Sequence, residues 1–381
     1  MKFDRQNKNI LTTWWWTVDK FSLVAILMII AFGAMMVATA SPAVAERIGY
    51  DSFYFVKRQL IFLFIALFTI ISISFLSPQN IKRTAAIGFI IGAILMVGVL
   101  LFGASTNGAK RWIFIGGMSL QPSEFMKPFF IVVTAWMLSE AKVKDGFKGF
   151  QISIVLYGLL AALLISQPDM GMFVVVTAVW SGQLFLAGMP IFWLAVLGIA
   201  GIVILIMAYL FFPHVSKRVD SFLGGGNSTT NYQVERSLEA FDSGGMFGRG
   251  PGEGVVKQRL PDSHTDFIFA VIGEELGAVI CIFIVWLYGF VVLRGFKLML
   301  GETDLFFVYS VSGLLMQFGA QAIINMGVSM NLLPTKGMTL PFVSYGGSSM
   351  LAIAVAMGML LALTKKRFGY VVKKPKLVWE G

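Results

Sequence analysis

The sequence predicts an all-α polytopic membrane protein: ten transmembrane helices, both termini cytoplasmic, and a large extracytoplasmic loop between helices 7 and 8. Three observations carry this reading. Hydrophobic residues make up 57% of the 381 and charged residues only 13%, about half of the roughly 25% charge that covers a soluble domain. Apolar runs of about 20 residues, the length a helix needs to cross a hydrocarbon core of ~30 Å, recur along the whole chain. These runs are uniformly apolar rather than alternating, which excludes a barrel, and backbone in lipid must satisfy its own hydrogen bonds. The chain is read as one membrane domain over 1–381.

Taken in order, Trp14-Trp15-Trp16 precede the first run and suit a membrane interface. That run, 21–41, ends with only Ala43-Val44-Ala45 resembling a cleavage site, so it is read as a retained span. Spans follow at 59–77 and 85–103, the latter holding Gly88 and Gly92 at a spacing suited to close helix packing. Four more fall at 124–140, 151–167, 170–187 and 191–212. A polar stretch, about 213–265, then separates them from 266–291, 305–326 and 345–364. Its start, Gly224-Gly225-Gly226-Asn227-Ser228-Thr229-Thr230, reads as flexible. A loop of roughly 50 residues between spans is long enough to suspect function.

The net charge of +10 is best explained by topology rather than by nucleic acid. Placing the N-terminus inside puts 17 of the 30 lysines and arginines in the cytoplasm, most of them beside spans. The loop carries six basic and six acidic residues, so it is no cationic funnel. One cysteine, Cys281, excludes an intrachain disulfide, and two histidines cannot build a His/Cys metal site.

Three constellations put polar groups where a packed bundle would not choose them, all on the external side. The first runs from Lys110-Arg111-Trp112 to Gln121-Pro122-Ser123-Glu124-Phe125-Met126-Lys127. Pro122 and Ser123 read as a helix start with Ser123 as N-cap. Glu124 and Lys127, three apart, share a helix face in its first turn. Ionisable groups at membrane depth usually serve a cavity or a partner; the alternative is a structural ion pair with Lys127 snorkelling outward. A helix N-terminus facing outward also favours an anion such as phosphate. The second constellation is His264-Thr265-Asp266-Phe267-Ile268-Phe269, continuing to Gly273-Glu274-Glu275. A carboxylate at a membrane mouth loses hydration, which raises its proton affinity toward the range of a general base. The competing reading of Asp266 is simple charge stabilisation of a helix N-terminus. Glu274 and Glu275 point about 100° apart on a helix, so one is expected in the cavity and the other paired elsewhere. The third is Asn325-Met326-Gly327, then Pro334-Thr335-Lys336-Gly337, then Leu340-Pro341-Phe342-Val343-Ser344-Tyr345-Gly346-Gly347-Ser348-Ser349. Such Gly, Pro and Ser density marks irregular backbone lining protein or water, and Lys336 suits a phosphate.

These strings resemble the SEDS family (shape, elongation, division and sporulation) of FtsW, RodA and SpoVE, over nearly the whole chain. The His264–Phe269 string with Gly273-Glu274-Glu275, and Ser344-Tyr345-Gly346-Gly347-Ser348, are the specific marks. Pro334-Thr335-Lys336-Gly337 and Thr339-Leu340-Pro341 resemble the division branch, FtsW, more than the elongation branch, RodA. That branch often has two glutamines where this chain has Glu235-Arg236, so no role is assigned to that pair.

The resemblance implies a peptidoglycan glycosyltransferase that polymerises lipid II on the outer face of the bacterial plasma membrane, at the division septum. It implies Asp266 as the catalytic base toward the 4-hydroxyl of the acceptor GlcNAc. Lys127, Arg111 and Lys336, with Lys110 behind them, are expected to meet the departing lipid pyrophosphate. Glu124 would hold Lys127 or share the base role, and His264 and Ser344 are carried over as further substrate-binding residues. Conversion of an α-linked pyrophosphate into a β-1,4 linkage needs inversion, so one displacement suffices. No cofactor is required by the sequence, and a divalent cation, Mg²⁺ or Mn²⁺, could bridge the pyrophosphate. The implied partners are lipid II, a class B penicillin-binding protein supplying transpeptidation, other division proteins and membrane lipids. Two rival classes remain. A lipid II flippase would show functional charge on both sides and inverted symmetry; a non-catalytic scaffold would leave Glu124, Lys127 and Asp266 without purpose.

Overall fold

The computed structural model describes residues 9–103, 110–115, 118–211, 213–222, 229–335 and 337–366. Lys336, and most of the glycine-rich stretch at 224–230, lie outside the described residues. The long helices are α2 (Lys20–Arg47), α3 (Tyr54–Ser74), α4 (Pro78–Phe102), α5 (Pro122–Val143), α6 (Gly149–Ser166), α7 (Met170–Leu186) and α8 (Ile191–Phe211). After the loop come α11 (Ile268–Met299), α12 (Leu305–Ser329) and α13 (Gly347–Leu363). Each expected span falls on one of these ten. Seven are both long and apolar enough to cross a bilayer unaided; α7 and α13 are apolar but shorter. Helix α5 is the exception, because it carries Glu124, Lys127, Glu140 and Lys142.

Where each helix sits follows from what it buries. Helices α12 and α13 are buried along nearly their whole length, with α13 packed between α3, α5 and α12. The outer helices turn large apolar side chains outward, among them Phe64, Phe68, Phe102, Ile202 and Ile282. An exterior of this kind is stable only against lipid, so the chain is a multi-pass membrane protein. The GxxxG expectation holds. A Cβ at Gly88 would lie 2.5 Å from the Phe129 ring and one at Gly92 2.4 Å from Met126 Sδ, which is where α4 lies on α5. Ser123, expected as the α5 N-cap, is not one. Gln121 holds that position, Pro122 starts the helix, and the Ser123 hydroxyl accepts from Gln121 Nε2 at 3.1 Å.

The described residues of the 213–265 segment hold more regular structure than their composition suggests. They include α9 (Pro213–Phe222), α10 (Thr229–Gly244) and a 3₁₀ turn at Val256–Gln258. Ser237, Ala240 and Gly244 are buried at helical spacing, so α10 offers a stripe of small residues to α11. A Cβ at Gly244 would strike the Gly273 carbonyl oxygen at 2.0 Å.

Helix α11 is broken at Gly277, whose φ of 79° few residues other than glycine adopt. The loop repairs the break. Ala278 and Val279 donate to the carbonyls of Gly245 and Met246, while Arg249 and Gly250 donate to those of Glu274 and Glu275. Both glutamates serve this repair, so neither enters the site cavity described below. The Glu274 carboxylate accepts from the backbone N–H groups of Val255, Val256 and Lys257 at 2.6, 2.6 and 3.0 Å. Glu275 pairs with the buried Lys257 ammonium, which also donates to the carbonyls of Thr39 and Gly252. Breaking a buried pair by removing one partner strands the other charge, at about 3–5 kcal/mol. Lys257→Met should therefore lower thermal stability severely in detergent, and Lys257→Met/Glu275→Gln should regain most of it. A single variant as stable as the parent would show that the pair carries no such role.

Candidate functional site

One cavity, of about 480 Å³, collects residues from all three constellations. Glu124 and Gln121 reach it from the start of α5, and Ser119 from the antiparallel hairpin β1 (Ile113–Ile115) and β2 (Met118–Leu120). Asp262, Thr265 and Asp266 come from the segment entering α11, Gly337, Thr339, Tyr345 and Gly346 from the irregular stretch before α13, and Gly347–Ser349 from its first turn. Arg58, on the first turns of α3, supplies a cation that the sequence reading missed. Its clue was present: Lys57-Arg58-Gln59 interrupts an apolar run on the external side.

The ground under the cavity is polar and closed. Lys127, 1% exposed, places its ammonium 2.7 Å from Glu124 Oε2 and donates to Gln321 Oε1 at 3.2 Å. The snorkelling alternative thus fails, because the side chain points into the bundle. Glu124 faces the cavity from above this pair. Desolvating two opposite charges is costly unless both are paired, so the arrangement fixes one carboxylate in a defined place.

Asp266 is positioned through backbone. Asn325 Nδ2 on α12 donates to the Asp266 carbonyl at 2.8 Å and to the Met338 carbonyl at 2.6 Å, clamping two irregular segments together. Gly337, at φ 64°, passes so close that a Cβ there would lie 3.5 Å from Asp266 Oδ2. The third constellation therefore reaches Asp266, as the expectation that it lines a cavity required.

Four other expected substrate contacts sit elsewhere. Arg111 turns away from the cavity to donate to the carbonyls of Gln167 and Pro168, and lies 3.9 Å from Asp169. It lines a separate pocket of about 250 Å³. The helix-breaking turn at 167–169 leaves carbonyls unpaired, and a guanidinium satisfies them. Lys110 is exposed, with its ammonium 3.5 Å from the Leu100 carbonyl. Ser344 Oγ donates to the Thr265 carbonyl at 2.5 Å and accepts from Leu340 N–H at 2.8 Å, so it ties loop to loop. His264 is 6% exposed, its ring against Phe55 and Tyr345 at 4.8 and 5.3 Å, and its carbonyl accepts from Tyr345 N–H at 2.8 Å. Both therefore shape the site without lining it.

With the geometry in view, the comparisons decide the family. The model of the FtsW/RodA/SpoVE family, described as cell cycle protein, matches residues 20–368. The chain belongs to this family. A Caulobacter vibrioides relative, named probable peptidoglycan glycosyltransferase FtsW, is 41% identical over 96% of this chain and 94% of its own length. A Coxiella burnetii relative of the same name is 38% identical over 91% of this chain and 96% of its own. Among solved structures, one from a study of how a peptidoglycan synthase complex coordinates polymerization and crosslinking superposes with a TM-score of 0.76. It is 26% identical and covers 91% of this chain and 97% of that one. The Thermus thermophilus rod shape determining protein RodA superposes at 0.69, with 25% identity over 92% of this chain and 97% of its own.

Burial draws the His264 imidazole down to about 4 from 6.5, aided by the charge of Arg47. The folded protein holds it neutral, whereas the unfolded chain takes up a proton below about 6.5, so its contribution is complete above 6.5 and lost toward 4. The melting temperature should therefore fall between pH 6.5 and 4.5, and fall less in His264→Phe, which keeps the aromatic stack. An equal fall in both proteins would contradict a buried, neutral His264.

Proposed function

We infer that this protein is a peptidoglycan glycosyltransferase of the FtsW type, polymerising lipid II into glycan strands for cell division. The observation that carries the reading is one cavity, on a family-wide fold, in which Asp266, Glu124 and Arg58 converge. The relatives named for this activity align over nearly the whole chain. A flippase would need functional charge at both ends of its pathway. Here the carboxylates and the arginine gather at one end of α3, α5 and α13.

The chemistry follows from the groups present. The 4-hydroxyl of the acceptor GlcNAc is a poor nucleophile until its proton is taken, and the Asp266 carboxylate takes it. The oxygen then attacks the anomeric carbon of the donor MurNAc, the bond to the lipid pyrophosphate breaks, and configuration inverts in one displacement. Charge grows on the departing pyrophosphate. Arg58 lines the cavity where a guanidinium can meet phosphate oxygens in bidentate fashion. Lys127 acts one layer deeper, holding Glu124, and the backbone at Gly346 and Gly347 lets a sugar or phosphate approach closely. Lys336, next to Gly337, is retained as a further cation for the leaving group. Among the described residues no cluster of three His, Cys, Asp or Glu could hold a metal alone. If a divalent cation binds, Asp266 and Glu124, which line the same cavity, would hold it, and it would supply positive charge toward the departing pyrophosphate.

In the membrane the ten long helices all cross, with both termini cytoplasmic and the 213–265 segment outside. The lysines and arginines beside the spans support this. Lipid II then reaches the cavity from the outer leaflet, and the setting is the septal plasma membrane. The partner is a class B penicillin-binding protein that crosslinks the new glycan. The likeness to a chain from a polymerization and crosslinking complex supports it.

General-base catalysis contributes typically 10²–10⁴-fold. Asp266→Asn should cost about that much in glycan formed from lipid II, while Asp242→Asn on the exposed face of α10 costs little. Lys127→Met should also weaken polymerisation severely, and Lys127→Met/Glu124→Gln, which leaves no stranded charge, separates that loss from lost stability. Polymerisation by Asp266→Asn at the parental rate would put the base elsewhere, Glu124 first. For topology, single cysteines replacing Ser228 and Lys373 in a Cys281→Ala background should differ in labelling by an impermeant reagent in spheroplasts. Equal labelling would overturn the orientation.

A further inference from the structure

A third cavity, of about 410 Å³, lies at the far end of the bundle from the candidate active site. It is framed by the ends of α3 and α13, whose opposite ends line the catalytic cavity. A 21-residue helix spans ~30 Å, so the two cavities sit a membrane's thickness apart. The third wall is α1 (Ile10–Thr17), a two-turn helix carrying the tryptophan triplet.

The cavity is built rather than left over. Trp14 packs on Phe75 at 5.2 Å, and its indole N–H donates to Ser74 Oγ at 2.8 Å, which fixes α1 across the α3–α4 turn. Lys366 N–H donates to the Thr17 carbonyl at 2.9 Å, so the chain leaving α13 is fastened to α1. That fastening brings two adjacent cations, Lys365 and Lys366, to the rim. Among the described residues neither forms an ion pair. The neighbouring carboxylate, Asp19, is committed to Arg294 at 2.7 Å and to the Ser22 hydroxyl. Lys365 lies 6.0 Å from the Phe75 ring, and burial draws its ammonium down to about 8. An anion seated in the cavity would restore the charge that burial opposes.

The surroundings indicate which anion. Ile10 and Leu11 are exposed on α1, as are Trp15 and Trp16, and Lys20 sits 4.7 Å above both indole rings. Apolar and aromatic side chains exposed beside lysines are the signature of a helix lying in a lipid headgroup layer. The α4 N-terminus, at Ser77 and Pro78, adds its positive dipole end to the same wall. A free phosphate would have no use for the Trp14 and Phe75 faces, whereas a glycerophosphate with its first acyl carbons would cover them.

We propose that this cavity binds the headgroup of an anionic phospholipid from the leaflet opposite the active site, with Lys365 and Lys366 on its phosphate and Trp14 and Phe75 against its glycerol. The lipid would hold α1 and the chain after α13 to the α3–α4 turn. The site needs the glycosyltransferase reading only for its leaflet, and detergent-solubilised protein reports on it whichever way the chain faces.

The test is native mass spectrometry and thermal stability of the full-length protein during exchange into detergent with added phosphatidylglycerol, phosphatidylcholine or soluble glycerol phosphate. The parent should retain phosphatidylglycerol and be stabilised by it, with phosphatidylcholine and glycerol phosphate far weaker. Two lysine contacts to an anionic lipid correspond to roughly 30-fold in affinity, so Lys365→Gln/Lys366→Gln should lose about that much. Lys365→Arg/Lys366→Arg, which keeps both charges, should retain the lipid and shows that the loss is not misfolding. Undiminished retention by the glutamine variant would overturn the site. Equal stabilisation by glycerol phosphate would overturn the lipid as its ligand.

Discussion

Irregular backbone buried inside a membrane protein must find its hydrogen bonds within the protein, and this constraint organises the rest of the molecule. Two such segments meet at the candidate site: 262–267, where the loop enters α11, and the described residues of 330–335 and 337–346, before α13. They satisfy each other. Tyr345 N–H reaches the His264 carbonyl, Ser344 Oγ reaches the Thr265 carbonyl, and Asn325 binds the carbonyls of Asp266 and Met338 at once. Three consecutive carbonyls, 264 to 266, are thereby fixed from outside their own segment. The carboxylate of Asp266 inherits its position from those bonds, so the partners of neighbouring carbonyls decide where it stands in the cavity.

The same logic recurs further along α11. The break at Gly277 would leave donors and acceptors exposed in the middle of α11, and the 244–257 stretch fills them with its own backbone and with the Glu274 and Glu275 contacts. The long loop is thus part of the bundle's hydrogen bonding rather than a cover laid over it. Around this polar centre the buried α12 and α13 exclude water, and the outer helices present phenylalanine and isoleucine to lipid. Charges inside such an enclosure act over a lower dielectric than in water, which strengthens both the Glu124–Lys127 pair and any contact Arg58 makes to a pyrophosphate.

Much of this was legible in the sequence because it rests on apolar length and on local strings. All ten spans correspond to helices, Gly88 and Gly92 mark a real helix contact, and Glu124 and Lys127 pair at the spacing that sequence gave reason to expect. The errors share a cause. Arg111, His264 and Ser344 were read as polar groups seeking substrate, and one of Glu274 and Glu275 as entering the cavity, when each satisfies backbone or packing needs that only the folded chain reveals. Ser344 has no partner in sequence until Thr265, 79 positions away, is brought to it. Arg58 was passed over for the converse reason: in sequence it looks like a flanking charge, and only the approach of α3 to α13 turns it into the cavity. The order within the 229–244 stretch was hidden because α10 is stabilised by burying serine, alanine and glycine, residues that give no hydrophobic signal.

Polymerisation of lipid II in the cavity where Asp266, Glu124 and Arg58 converge is open to direct test. Its most direct measure is photo-crosslinking with a benzophenone side chain placed singly at Thr339, inside the cavity, and at Lys110, outside it, using radiolabelled lipid II. A lipid II adduct at Thr339 that unlabelled lipid II competes away is expected, with none above background at Lys110. Equal capture at both positions, or capture at Lys110 alone, would contradict it.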